Sequence, residues 1–154
     1  MYKNCEGYAD PTAGQAMSHM MKEYKQQQRE RYRKEEEVKS RKKVYVASKY
    51  AGDVEKNTAD AIRYCRFAIE KGCIPLASHL LYPCMLDDNQ PELRFLGTMF
   101  GLALLKQCQE VWIFGAELSP GMQKEEQEAK RLGKLIRYFD EDCEEVGRWV
   151  SRKN

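Results

Sequence analysis

The pattern of apolar and polar positions changes once along the chain, near residue 43. Before that point apolar residues recur at three- and four-residue intervals, through Ala13, Ala16, Met17, Met20, Met21 and Tyr24, and then give way to an almost wholly polar stretch. The spacing is that of a helix face. Asp10 stands where an N-cap would, Pro11 occupies the first helical position, and few β-formers occur before Val44, so one long helix is predicted from Pro11 to about residue 40. Its early stripe needs apolar cover; its later turns can project.

From Lys43 onward short β-branched runs alternate with longer helical ones. "KVYVAS" reads as a strand, and "VEKNTADAIRYCRFAIEKG" as a helix with Ala61, Ile62, Cys65, Ala68 and Ile69 on one face and Gly72 as its stop. "CIPLAS" is a second strand, the proline-led "PELRFLGTMFGLALLKQCQ" a mostly buried helix, and "EVWIFG" a third strand. A helix opening at "SPGMQKEEQEA" and capped by Gly133 leads to "KLIRYF" as a fourth strand, and residues 141–151 read as a short closing helix. Such alternation implies right-handed βαβ crossovers and a parallel sheet covered on both faces. The expected fold is α/β, a three-layer Rossmann-like or flavodoxin-like parallel sheet of four to five strands with a long N-terminal helix. The chain accordingly divides into a helical extension, 1–42, and an α/β domain, 43–154.

Composition narrows the function classes. The formal net charge is +2, but residues 1–43 hold 11 Lys/Arg against 7 Asp/Glu, and the remainder 15 against 17. The basic excess is interleaved with glutamates, as in "RERYRKEEE", which describes a solvated helix face better than a one-signed nucleic-acid footprint. The six cysteines show no CxxC pair, and the two histidines, His19 and His79, lie far apart, so neither a disulfide framework nor a metal site is expected, and no cofactor is called for. With no secretory leader and no apolar run near the roughly 20 residues that span a bilayer, the expectation is a reduced, cytoplasmic compartment without membrane contact.

In sheets of this kind ligands sit outside the carboxyl ends of the strands. Those ends are Ser48 to Gly52, Ser78 to His79, and Gly115 to Gly121. The loops "SKYAGD" and "GAELSPG" each deliver a strand to a helix N-terminus, where free N–H groups favour an anion. Candidate ligand contacts are therefore Ser48, Lys49, Tyr50, Gly52 and Asp53 from the first loop, His79 from the second, and Gly115, Ser119, Gly121 and Met122 from the third. Neither loop is a Walker or GxGxxG sequence. Capping by Ser119 and turn formation by Gly121 account for the same residues without any ligand.

The blocks "VYVASKYAGDVEKN", "YCRFAIEKGCIPLASHLLYPCMLDD", "LGTMFGLALLKQCQEVWIFG" and "SPGMQKEEQEAKRLGKLIRY" together resemble a phage- and prophage-associated domain of uncharacterised function in the nucleoside 2-deoxyribosyltransferase-like superfamily. The resemblance implies a nucleoside or nucleotide as the small-molecule partner and a homo-oligomer, dimer or larger. It also implies a glutamate nucleophile six residues after a small polar residue; Ser119 leads by that spacing to Glu125, with Ala129 four residues on. Glu125 would attack the anomeric carbon, and a carboxylate suits the oxocarbenium-like transition state. Tyr45 matches a tyrosine that orients the nucleophile, and Glu126 and Glu128 are left as surface charge. Characterised members carry an acidic residue on the helix before the third strand to protonate the departing base. The corresponding place here is near Gly101, and no carboxylate lies between Glu92 and Glu110. Asp87 and Asp88, in the preceding loop, are the substitutes at hand, and Gln109 stands where the family has an aspartate. Two readings follow: an N-glycosidase or deoxyribosyltransferase, or a protein that binds and sequesters a nucleotide or nucleotide signal without cleaving it.

Overall fold

The computed structural model describes residue 3 and residues 5–147. The chain divides into two units, one ending at Arg41 and the other beginning at Lys42. The first holds helix α1, Pro11–Lys39, with the Asp10 carboxylate accepting from the Ala13 amide at 2.9 Å. This unit buries none of the helix's side chains. Its polar half is laced instead by pairs one turn apart, Arg31 with Glu35 at 2.9 Å and Lys39 with Glu36 at 3.0 Å, which support a helix that has no core of its own.

The second unit contains β1 (Lys43–Ala47), α2 (Val54–Glu70), β2 (Ile74–Leu76), α3 (Pro91–Lys106), β3 (Glu110–Phe114), α4 (Pro120–Arg131), β4 (Leu135–Phe139) and β5 (Glu145–Val146). The sheet order is β2-β1-β3-β4-β5. All pairings are parallel except the last, β4 with β5. The order reverses between β1 and β3, so the crevice outside their carboxyl ends is the switch point of the sheet.

Side-chain alternation along the two central strands builds the layers. Val44, Val46, Trp112 and Phe114 pack with Tyr64 and Ala68 of α2, whereas Tyr45, Ala47, Val111 and Ile113 pack with Leu105 of α3 and Met122 and Ala129 of α4. The α2 face is dense with rings: Tyr64 stacks on Phe114 at 4.4 Å, and Phe114 on Phe139 at 4.8 Å. Burial on both faces is why β3 reads as five consecutive buried residues and not as an alternating strand.

One predicted element is corrected. Of the closing helix expected over 141–151, residues 148–151 lie outside the described residues, and the part before them is a turn followed by β5. The Asp140 carboxylate accepts from the amides of Asp142 and Glu144, both at 2.9 Å, and Cys143 takes a positive φ of 63°. A side chain that satisfies the local backbone in this way competes with the helix for the same amides. The returning strand is then held by Arg137, whose guanidinium donates to both carboxylate oxygens of Glu145 at 2.8 and 2.6 Å. The fifth strand is thus antiparallel, on an otherwise parallel sheet.

Candidate functional site

Tyr45 is the residue of β1 that the pleat turns toward α3 and α4. Glu125 reaches it from the other side. In α4 the inward positions are Met122, Glu125 and Ala129, three and four residues apart, so a carboxylate occupies a place on the face that packs against the sheet. The two meet: Tyr45 Oη donates to Glu125 Oε1 at 2.6 Å. Tyr45 is also 2.6 Å from Ser78 Oγ, in the single 3₁₀ turn Ser78–Leu80 that follows β2.

The electrostatics follow from enclosure. Burial raises the Glu125 carboxyl to about 7, against the opposing effect of the Tyr45 hydrogen bond. Burial, reinforced by the nearby glutamate charge, holds the Tyr45 phenol well above its ordinary value, so it remains a donor. His79, beside Ser78, is lowered to about 4 by burial and is neutral near pH 7. Its Nε2 lies 2.9 Å from Ser48 Oγ at the end of β1. The second loop therefore touches the first strand twice, once through Ser78 and once through His79.

These groups open on a cavity of about 210 Å³ at the switch point. Of the residues singled out from the sequence, Ser48, Tyr50, His79, Asp88, Ser119, Gly121, Met122 and Glu125 line it. Tyr45 is behind Glu125, fully buried. Lys49, Gly52, Asp53 and Gly115 are not brought to the cavity wall. Asp53 instead caps α2, accepting from the Lys56 amide at 3.1 Å, and Gly52 supplies the φ of 101° on the way into that cap. Lys49 points its side chain over the same turn, 3.9 Å from where a Cβ on Gly52 would lie, and Gly115 turns the chain out of β3 at a φ of 112°.

Ser119 has both of its predicted attributes: it lines the cavity and caps α4, its Oγ accepting from the Met122 amide at 3.3 Å. Ser119→Ala is expected to lower stability by about 1 kcal/mol through the lost cap, measured by urea unfolding in the absence of ligand. An unchanged midpoint would mean that the cap contributes nothing. Glu128 is a half-buried charge at the surface, paired with Arg131 at 2.6 Å, whereas Glu126 turns inward. Its side chain is only 15% exposed, bonds to Lys130 at 3.0 Å and accepts from Tyr138 Oη of β4, because it sits one turn beyond Met122 on the same inward side.

Several lining residues had no signal in the sequence. Arg94, one turn into α3, stands 4.0 Å from Asp88 at the exposed mouth, and Tyr82, Leu86 and Thr98 complete that wall. Asp87 turns away, accepting from the Asn89 amide at 3.0 Å. Gly101, which the resemblance singled out, does not line the cavity but packs behind it. A Cβ there would stand 2.8 Å from Ser78 Oγ and 3.3 Å from Tyr45 Oη, so α3 presents bare backbone to the tyrosine–serine pair. The place where the family resemblance puts an acid is filled by those two hydroxyls. Among the described residues no cluster of three or more His, Cys, Asp or Glu is placed to hold a metal ion, and no helix is long and apolar enough to cross a membrane.

A family model described as Domain of unknown function (DUF7768) matches residues 42–139. No curated protein matches the chain. Among solved structures, the fold is similar to that of a 2-deoxyribosyltransferase from the psychrotolerant bacterium Bacillus psychrosaccharolyticus, with a TM-score of 0.52 and 18% identity over 68% of this chain and 77% of the other. At that identity the likeness is one of fold, and it agrees with the nucleoside 2-deoxyribosyltransferase-like architecture expected from the sequence.

Proposed function

The chain belongs to the family described as Domain of unknown function (DUF7768), and for it we propose a nucleoside- or nucleotide-processing role, as an N-glycosidase or deoxyribosyltransferase with Glu125 as nucleophile. The observation that carries this reading is the buried pair of Tyr45 and Glu125, 2.6 Å apart, on a cavity at the switch point of the sheet. A carboxylate held by one strong donor and freed from bulk water has the orientation that attack on an anomeric carbon requires.

In the proposed reaction a Glu125 oxygen bonds to C1′ as the glycosidic C–N bond breaks, with its electron pair leaving on the base nitrogen. Water, or a second base in the transfer reaction, then displaces the carboxylate. Ser119, the α4 amides it leaves exposed and the Ser48–His79 pair would receive the sugar or its 5′ substituent. Arg94 and Asp88 would meet whatever projects from the mouth. The test is a panel of deoxynucleosides and deoxynucleotides, alone and with a second free base, followed by chromatography. Released or exchanged base supports the reading, and its absence across the panel overturns it.

A second reading has its own support in Gly101, near which the resemblance puts the acid: it carries no side chain, and Ser78 and Tyr45 leave no room for one. On that reading the pocket binds a nucleotide or nucleotide-derived signal and keeps it intact. Calorimetry separates the two. Tight binding of an uncleaved ligand, retained in Glu125→Gln, favours the binder; cleavage lost in the same variant favours the enzyme.

A further inference from the structure

Ser78 lines the cavity, and its buried hydroxyl is bonded to Tyr45, the side chain that donates to Glu125. A tyrosine has a single proton to give, and an ionised carboxylate accepts only. With Tyr45 Oη 2.6 Å from both Glu125 Oε1 and Ser78 Oγ, the tyrosine proton must lie toward the glutamate when Glu125 is charged. The bond between the two hydroxyls then has only one possible donor, Ser78. The protons of the chain Ser78, Tyr45, Glu125 all point the same way, and each donor is polarised by the one behind it.

We propose that Ser78 is a positioning residue for the Glu125 carboxylate, acting through Tyr45 by keeping the tyrosine's O–H directed at Glu125 Oε1. The reading of Glu125 as nucleophile gives this its use, but the proton arrangement stands on the geometry alone. Two features hold Ser78 in place. Its turn is closed by the Leu80 amide donating to Ala77 O at 3.1 Å and the Leu81 amide donating to Ser78 O at 3.0 Å. Behind it, α3 passes so close at Gly101 that a methyl group there would stand 2.8 Å from Ser78 Oγ and 3.2 Å from its Cβ. Gly101 is thus the wall against which the serine is set. The lack of a side chain at 101 is a requirement of the hydroxyl chain, whatever its consequence for an acid.

The direction of the effect is fixed by the same accounting. A Tyr45 that accepts from Ser78 is a stronger donor, and a stronger donor favours the ionised glutamate; the serine correspondingly lowers the phenol against the larger upward effect of burial. The other titratable and charged groups around the carboxylate are His79 from the second loop, Cys108 beside Tyr45, and Asp88 and Arg94 at the mouth. All of them remain in the variants below, so a difference between variants isolates the serine.

The experiment is a titration of the Glu125 side-chain carboxyl by carbon NMR in the ligand-free full chain, with folding checked by thermal melting. Ser78→Ala is expected to move the midpoint upward by about half a unit, the size of one modest hydrogen bond. Gly101→Ala, which leaves the serine but displaces its oxygen, is expected to move it in the same direction. In a Tyr45→Phe background Ser78→Ala is expected to do nothing, because the relay is gone. A folded Ser78→Ala protein with an unshifted midpoint overturns the proposal, as does an equal shift with and without Tyr45. If Ser78→Ala does not fold, Gly101→Ala alone decides by the same criterion. The predicted shifts in a protein that cleaves no glycoside would leave the positioning role standing and remove the glycosidase reading.

Discussion

Glu125→Ala is expected to reduce glycoside cleavage by about 10³-fold or more, with the fold intact. The loss is large because the carboxylate would form the bond to the anomeric carbon, and no other carboxylate among the described residues is enclosed with it; Asp88 is exposed at the rim, beside Arg94. The wild-type pH profile carries a second signature of the same group. The attacking form is the anion, and burial places the ionisation at about 7. Below that, kcat/KM is expected to fall about tenfold per pH unit, and above it to level off. A profile that declines as pH rises through 7 would identify a group needed in its protonated form and reject Glu125 as nucleophile. Retention of most of the activity in Glu125→Ala would do the same without reference to pH.

The layers of the fold were legible because the sequence repeats one message: β-branched runs, helices of the right length and prolines or glycines at their ends all agree, from Lys43 to Phe139. The closing segment was misread because "DEDCEE" has helical composition, while the Asp140 side chain claims the amides that a helix would use. At the site, Glu125 was singled out by the family resemblance, which implies a glutamate six residues after a small polar residue, here Ser119. That spacing is the consequence of a cap that starts α4 and a period that brings the sixth residue inward. Lys49, Gly52, Asp53 and Gly115 were grouped with the pocket because they share its loops; in the structure they spend their backbone and side chains on building the turns. Arg94 left no trace in one sequence, and Ser78 and Gly101 were named only as a strand end and as the place of a missing acid, since each matters through a tertiary contact, with Asp88, with Tyr45, and with the hydroxyl pair. A glycine in a helix reads as a weakness until the neighbour that needs its space is known.

The same burial that readies Glu125 works against the fold, which makes Glu125→Gln an expected stabilising change at alkaline pH. The ordinary carboxyl value is 4.5 and the folded value is about 7, so between those two the folded chain holds a proton that the unfolded chain has released. Stability therefore falls as pH rises through that window, and above about pH 7 the whole penalty is present, up to about 3 kcal/mol. Glutamine keeps the shape and an oxygen that can accept from Tyr45 Oη, but never ionises. Urea unfolding at pH 8 should find the Glu125→Gln protein more stable by as much as that amount. Well below pH 4.5 the two proteins should converge, since the glutamate is then protonated in both states. His79 runs in the opposite sense: its folded value of about 4 lies below the ordinary 6.5, so its contribution is lost as pH falls from 6.5 toward 4. It is present in both proteins and cancels in their difference. Equal stability at pH 8, or an advantage for glutamine that grows toward acid, would mean that the carboxylate is not held in a low-dielectric site. A gain in stability coupled to a loss of cleavage would identify Glu125 as a residue kept charged and enclosed for what it does to a ligand, at the expense of the fold around it.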